Sequence, residues 1–254
     1  MKQLLIILAA AGATALSAAI MAVPAYSADA VKNIVLVHGA WADGSGWKGV
    51  YDILKDRGYN VSIVQNPLTT LADDVAATDR VLARQDGPVL LVGHSYGGSV
   101  ISEAGDADNV VGLVYLAAFV PDVGESPFGL LPQSDAPPPF TPSADGFLFL
   151  NEDAFLNAFA PDVAGKEFLE ASQVPIALVA GMGEQTVGAW KSKPSWYLLS
   201  ADDHIIPPDV QRMMSKRAGS TVVERPGGSH LDFVANPAAA ADLIDQAAKS
   251  LSGS

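Results

Sequence analysis

The sequence predicts an α/β fold in which helices cover both faces of a mostly parallel central sheet. Strand-like apolar runs alternate along the chain with stretches whose apolar residues recur at helical spacing, the order expected of parallel strands joined by helical crossovers. The strand-like runs are apolar throughout rather than alternating, as expected for strands buried on both faces. Apolar residues make up 49% of the 254 residues, enough to bury one substantial core.

Strands and helices can be placed in chain order from these patterns. The predicted strands cover residues 33–37, 60–64, 89–92, 110–117, 195–199 and 221–224. The predicted helices cover residues 47–57, 70–85, a segment opening at 99–101, 208–217 and 237–249. Gly58 provides a stop for the first helix, and Thr70 with Asp73 resembles a capping box at the start of the second. Asn236 before Pro237 predicts an N-cap for the last helix.

Residues 121–190 interrupt this alternation with a segment too long for a simple crossover. The segment begins with proline-rich runs at 127–132 and 137–140 and continues with a predicted helix near 151–159. Its many apolar residues include Phe128, Phe140, Phe147, Phe149, Phe155 and Phe159. This apolar content argues against a simple disordered loop. Long insertions in compact domains tend to be lids or binding elements, so we expect a lid here.

Residues 1–28 are predicted to be a secretory signal peptide rather than part of the fold. A short basic start precedes an almost wholly apolar stretch at 4–23, and Pro24 and small residues at 25–28 follow where a processing site should lie. An uncleaved membrane anchor is the alternative, since the apolar stretch approaches spanning length. Cleavage would leave residues 29–254 as a single domain, secreted or periplasmic, with no stable membrane association.

Charge and residue usage exclude several classes of protein. The formal net charge of −13 argues against nucleic acid and anionic membrane surfaces as partners. The chain has no cysteine, which excludes a disulfide framework and a thiol nucleophile. Its four histidines lack the paired spacing of metal ligands, and no cofactor is expected.

The G-H-S-Y-G sequence at 93–97 is the strongest functional signal in the chain. It lies between a predicted strand and a predicted helix, the setting in which G-x-S-x-G forms a nucleophile elbow. Gly93 and Gly97 leave room for a sharp turn in which a Cβ would collide with its neighbours. Ser95 is therefore predicted to be a nucleophile at the top of the sheet. An incidental serine in a tight glycine turn is the alternative.

A serine hydroxyl is a weak nucleophile until a base takes its proton, and we predict His230 for that role. His230 lies in a glycine turn after the last predicted strand, and it comes last in the chain order of nucleophile, acid and base. His94 is expected to pack inside the elbow, His38 to order the loop after the first strand, and His204 to be a solvated loop residue.

The acid that orients the base should lie between nucleophile and base, after the penultimate strand. Asp202 and Asp203 both fit this position, and adjacent residues project in different directions, so only one should face His230. Asp122 and Glu125, after an earlier strand, form a second pair of candidates.

Taken together, these motifs resemble the α/β-hydrolase superfamily. In particular, they resemble small bacterial esterase-like members related to plant methyl-ester esterases and hydroxynitrile lyases. The segments that carry the resemblance are 35–47, 93–98, 200–208 and 227–230. In such proteins the residue after the first His-Gly and the residue after the nucleophile donate the oxyanion-hole amides, which implies Ala40 and Tyr96.

The resemblance also bears on the acid and on the reaction. The family's acid lies four or five residues before a proline, which favours Asp203 over Asp202. Leu231 stands where hydroxynitrile lyases carry a lysine, and Gly39 where they carry a threonine, so lyase activity is not expected. A serine nucleophile excludes the haloalkane dehalogenases, which need a carboxylate.

The sequence thus predicts a serine hydrolase that cleaves carboxylic esters through Ser95, His230, Asp203 and an acyl-enzyme. Its expected partner is a small apolar ester. A lactonase or cofactor-free haloperoxidase with the same triad is one alternative, and a non-catalytic ligand-binding member of the fold is another. The complete triad in the expected chain order argues against a binding protein, which needs neither base nor acid.

Overall fold

A computed structural model describes residues 30–133 and 138–252. The strands are β1 (Asn33–Val37), β2 (Asn60–Val64), β3 (Val89–His94), β4 (Val110–Leu116), β5 (Phe140–Pro142), β6 (Phe147–Leu150), β7 (Ile176–Ala177), β8 (Ser195–Ser200) and β9 (Thr221–Arg225). The α-helices are α1 (Lys48–Asp56), α2 (Leu71–Leu82), α3 (Gly97–Ala104), α4 (Glu152–Ala154), α5 (Lys166–Ala171), α6 (Leu178–Gly181), α7 (Pro208–Arg217), α8 (Asp232–Ala235) and α9 (Pro237–Leu251).

The central sheet has six parallel strands in the order β2-β1-β3-β4-β8-β9. The chain moves from β1 outward to β2 through α1, then back across the sheet through α2 and α3. Crossovers between parallel strands are right-handed. Because the chain changes direction across the sheet after β2, α1 lies on one face of the sheet and α2 and α3 lie on the other. Helix α9 packs against α1. This architecture confirms the predicted fold class.

The predicted strands are confirmed within two residues at each end. Every residue of β1, β3 and β8 is buried, which explains why those runs are apolar without alternation. Strand β4 ends at Leu116, one residue earlier than predicted, because Ala117 leaves the strand with a φ of 41°.

Helix boundaries differ more from the prediction. A 3-10 turn at Gly44–Trp47 precedes α1, and α2 ends at Leu82 rather than at residue 85. The Thr70 hydroxyl accepts a hydrogen bond from the Asp73 amide, as a cap should. Asn236 is the N-cap residue of α9 and Pro237 follows it, as predicted, but the Asn236 side chain donates to Asp232 and makes no capping hydrogen bond.

Residues 121–190, called the insertion below, contain a small sheet that the sequence did not predict. Strand β6 pairs antiparallel with β5 on one side and with β7 on the other. The helix predicted near 151–159 is a single α-turn, α4, that continues into a π-helical turn, Phe155–Phe159. The base of the insertion is tied to the core by the Glu125–Arg217 ion pair, at 2.7 Å.

The predicted signal peptide, residues 1–28, lies outside the described residues. Within the described ranges, 30–133 and 138–252, no helix is both long and apolar enough to cross a bilayer.

Candidate active site

The turn between β3 and α3 has the geometry of a nucleophile elbow. Ser95 has a φ of 53°, in the left-handed region that side chains rarely adopt. A Cβ on Gly93 would lie 2.6 Å from the carbonyl oxygen of Gly97, and a Cβ on Gly97 would lie 2.6 Å from that of Val37. Only glycine at both positions allows so tight a turn.

Ser95, His230 and Asp203 form a continuous chain of hydrogen bonds. Ser95 Oγ lies 2.9 Å from His230 Nε2, and His230 Nδ1 lies 2.8 Å from Asp203 Oδ2. The carboxylate can only accept, so Nδ1 carries the proton and Nε2 is left free to accept from the serine hydroxyl. All three residues are buried.

The backbone after β8 holds the Asp203 carboxylate in place. The amides of Ile205 and Ile206 donate to its Oδ1 at 2.7 and 2.9 Å, and the side chain of Gln211 donates to its Oδ2 at 2.8 Å. Gln211 is buried in α7 and also accepts a hydrogen bond from the amide of Ser200. No sequence pattern indicates this glutamine, because only the packing of α7 brings it to Asp203.

The other candidate acids lie elsewhere. Asp202 is exposed, and its Oδ1 lies 3.6 Å from His204 Nε2. Asp122 pairs with Lys191 and Glu125 with Arg217, and these cations lower the pKa of both carboxyl groups. Of the four candidates, the structure brings only Asp203 to His230.

The remaining buried histidines order the backbone around the site. His94 Nε2 lies 2.9 Å from the carbonyl oxygen of His230, and burial lowers the pKa of His94, so a neutral ring donates this bond. His38 Nε2 accepts from the amide of Asn66 at 2.9 Å, and its Nδ1 donates to the carbonyl of Gly39. Burial likewise lowers the pKa of His38. Both histidines occupy the packing and ordering positions expected of them.

The insertion also braces the loop that carries His230. The Phe159 ring, in the π-helical turn, lies 5.1 Å from the His230 ring. The Ser229 hydroxyl donates to Asp162 of the insertion at 2.6 Å. His230 and its loop are therefore held by contacts with Asp203 and His94 on one side and with Phe159 and Asp162 of the insertion on the other.

Ala40, Tyr96 and Ser95 all line one cavity. Tyr96 is the N-cap of α3, so its amide lies outside the helix's own hydrogen-bond ladder. Ala40 follows Gly39, where a Cβ would lie 2.7 Å from the Cβ of Ser95. The glycine therefore allows the Ala40 loop to approach the nucleophile closely.

A cavity of about 310 Å³ opens beside Ser95. Its walls are mainly apolar, and Phe128, Phe140 and Met182 of the insertion form part of them. The rings of Trp41 and Phe128 stack with centroids 6.2 Å apart and planes 12° apart. His204 is the one titratable side chain besides that of Tyr96 in the lining formed by the described residues.

Backbone strain is concentrated at this edge of the sheet. Among the described residues, the non-glycine residues with positive φ are Trp41, Leu68, Ser95 and Ala117. Each follows the carboxyl end of one strand, β1, β2, β3 and β4 respectively, by no more than four residues. Residues in this conformation cluster at functional sites, and here all four follow the carboxyl ends of neighbouring strands at the edge of the sheet that carries Ser95.

Fold and site together define the class of protein. Residues 34–243 match the alpha/beta hydrolase family, and the chain belongs to that family. A pyrethroid hydrolase of Sphingobium wenxiniae is 28% identical over 84% of this chain and 86% of its own length. Methylesterase 8 of Arabidopsis thaliana is 24% identical, over 84% and 88%. A crystal structure of a pyrethroid hydrolase from Sphingobium faniae has a TM-score of 0.74 at 26% identity, covering 86% of this chain and 97% of the other.

Proposed function

We propose that the protein is a serine esterase that hydrolyses small, apolar carboxylic esters. One observation carries the proposal: the hydrogen-bonded chain from Ser95 through His230 to Asp203 ends at an apolar cavity. Relatives named as a pyrethroid hydrolase, a carbendazim hydrolyzing esterase and a methylesterase support ester cleavage as the reaction class.

In the proposed mechanism, His230 Nε2 takes the hydroxyl proton while Ser95 Oγ attacks the ester carbonyl. The amides of Ala40 and Tyr96 stabilise the oxyanion, a contribution of about 3 to 4 kcal/mol per donor. Collapse of the tetrahedral intermediate breaks the bond to the alcohol, which leaves with the proton from His230. Water then attacks the acyl-enzyme with His230 again as the base, which releases the acid and restores Ser95. Asp203 keeps the imidazole in the required tautomer throughout.

The preference for small apolar esters follows from the cavity. Its volume of about 310 Å³ is at the lower end for ligand pockets, and the part of its lining formed by residues 30–133 and 138–252 contains no lysine or arginine to bind an anionic substrate. We further propose that the insertion is the lid of this site, since its residues Phe128, Phe140 and Met182 line the same cavity as Ser95.

The test is a panel of p-nitrophenyl esters from acetate to palmitate, with lactones alongside. We expect kcat/KM to be highest for acetate or butyrate, with no rate increase above the micelle threshold. A preference for palmitate would contradict the proposed substrate size, and a preference for lactones would favour a lactonase using the same triad.

Labelling with a fluorophosphonate separates an enzyme from a ligand-binding protein. We expect stoichiometric labelling of the wild type on Ser95 and none of Ser95→Ala. Ser45→Ala is the control, because Ser45 is an exposed residue in the 3-10 turn before α1. An unlabelled wild type without esterase activity would overturn the proposal.

A further inference from the structure

A carboxylate outside the triad is buried directly behind the nucleophile elbow. Asp74, in the first turn of α2, has no exposed surface. Its Oδ2 accepts a hydrogen bond from the Tyr96 hydroxyl at 2.7 Å, and its Oδ1 accepts one from the Leu68 amide at 2.8 Å. The two oxygens thus join two separate loops at the carboxyl edge of the sheet.

The first of these bonds leads to the proposed oxyanion hole. Tyr96 directly follows Ser95 in the chain. It is buried and forms part of the wall of the cavity. The hydroxyl is anchored at the far end of the side chain, so the bond to Asp74 limits how the ring can turn. Because the ring and the amide belong to the same residue, fixing the ring helps fix the direction of the amide at Ser95.

The second bond leads to the opposite wall of the cavity. Leu68 has a φ of 58°, and its carbonyl accepts a hydrogen bond from the amide of Ala177 at 2.9 Å. Ala177 is the last residue of β7, and the next residue, Leu178, opens α6 and lines the cavity together with Met182, the residue after that helix. Asp74 therefore lies between the nucleophile elbow and the part of the insertion that covers it.

A carboxylate accepts both of these hydrogen bonds, one on each oxygen. An asparagine has one accepting oxygen, so with that oxygen on the Leu68 amide its N–H would donate to the Tyr96 hydroxyl, and the bond to Tyr96 would be reversed and uncharged. Holding the charge there is costly, because burial raises the pKa of Asp74 to about 6, and the nearby charge of Asp73 acts in the same direction. The two donors to the carboxylate only partly offset the burial.

We propose that Asp74 is a positioning residue for ester hydrolysis, holding the Tyr96 amide and the Leu178 wall of the cavity in one geometry. The inference rests on the proposed function. It adds a residue that touches neither substrate nor triad and acts through Tyr96 on one side and Leu68 on the other.

The test compares Asp74→Asn with Asp73→Asn in the full-length protein. Asp73 is the adjacent, exposed carboxylate of the same helical turn, and its side chain accepts only from Thr69 and Thr70. Asp74→Asn should lower kcat for p-nitrophenyl butyrate about tenfold, the loss expected when a hydrogen bond to a buried charge fails, with KM changing less than twofold. Its rate of fluorophosphonate labelling should fall in parallel. Asp73→Asn should match the wild type in both measurements.

A double-mutant cycle with Tyr96→Phe tests whether Asp74 acts through the hydroxyl. Tyr96→Phe keeps the ring and deletes the contact, so it should lower kcat severalfold, and adding Asp74→Asn should lower kcat by less than it does alone. Multiplicative losses, or an unchanged kcat in Tyr96→Phe, would overturn the proposal. Tyr96→Phe alone decides the matter if Asp74→Asn does not fold. A wild type without activity or labelling would instead refute the proposed function.

Discussion

The carboxylate of Asp203 faces His230 because the chain after β8 turns around it. Two backbone amides and the side chain of Gln211 donate to its oxygens, while Asp202 points into solvent beside His204. The sequence alone left the two neighbours open, since no periodic pattern exists in a turn. The proline spacing of related proteins favoured Asp203, and the observed contact with His230 is made by Asp203.

Substituting the two aspartates separately tests this assignment. Asp203→Asn should lower kcat by about 10⁴-fold, because an asparagine lets the imidazole adopt the wrong tautomer. Asp202→Asn is the matched control and should stay within twofold of the wild type, since its carboxylate is exposed. Steady-state kinetics on one soluble ester gives both values. Equal losses in the two variants would show that Asp203 does not orient the base.

Asp74 should also make the stability of the protein depend on pH, an effect that can be measured without an activity assay. Its pKa is about 6 in the folded protein against 3.8 for an unperturbed aspartate, so the folded state binds this proton more tightly than the unfolded state. The contribution of Asp74 to stability is therefore greatest below pH 4 and falls as the pH rises through about 6. The difference between these two pKa values corresponds to about 3 kcal/mol of unfolding free energy.

Urea unfolding of the wild type and of Asp74→Asn at several pH values measures this contribution. The difference in unfolding free energy between the two proteins should move by about 3 kcal/mol against the wild type between pH 4 and pH 7. Comparing the two proteins cancels the other carboxylates, such as Asp122 and Glu125, whose lowered pKa acts in the opposite direction. A difference independent of pH would show that folding does not raise the pKa of Asp74.

At the scale of secondary structure, the elbow depends on how closely α3 packs beneath the loop after β4. A Cβ on Gly98 would lie 2.1 Å from the carbonyl oxygen of Phe119, a backbone atom that cannot move independently. A Cβ on Gly46, in the 3-10 turn before α1, would have no neighbour closer than 3.7 Å. The structure therefore has room for a side chain at Gly46 and none at Gly98.

Replacing each of these two glycines by alanine should separate the effect of a steric clash on stability from the effect of alanine's higher helix propensity. Gly98→Ala should destabilise the protein by about 3 kcal/mol or more, since the clash exceeds the roughly 1 kcal/mol that alanine gains in a helix. Gly46→Ala should change stability by no more than about 0.5 kcal/mol. Chemical denaturation gives both values, and similar midpoints for the two variants would contradict the close packing of α3.

The elements that the sequence predicted well are those with a strong periodic signal. Strands β1 and β3 are continuous apolar runs bounded by polar or glycine residues, and their limits were predicted within two residues. Strands β5 and β7 have three and two residues, too short for any period to appear. The π-helical turn at Phe155–Phe159 has the apolar spacing of an ordinary helix, so its distinct hydrogen bonding could not be predicted.

The same limit applies to the site. Ser95 and His230 carry local signals, a flanking pair of glycines and a glycine turn after the last strand. Gln211 and Asp74 carry none, because their roles depend on contacts with Asp203 and Tyr96 that exist only once helices and sheet have packed. A polar residue in the first turn of a helix is ordinarily a surface residue, and only its burial distinguishes Asp74.

At the scale of the whole molecule, we propose that the protein is exported and that its mature chain begins near Ala28 or Asp29. The basic start, the apolar stretch and the small residues before position 29 support cleavage. N-terminal sequencing of protein from the extracytoplasmic fraction is the measurement. A mature protein that retains Met1 would contradict cleavage and favour a membrane anchor.

The four left-handed residues at the edge of the sheet that carries Ser95 bear on how this protein would respond to selection for heat resistance. Such a conformation costs a side-chain-bearing residue about 1 kcal/mol or more, so Trp41, Leu68, Ser95 and Ala117 form the least relaxed part of the backbone. Glycine at Ala117 would relax its φ of 41° and would also loosen the loop beside the elbow. A laboratory screen for activity that survives heating would favour such substitutions. The selected variants would be inactivated more slowly at high temperature and would have a lower kcat.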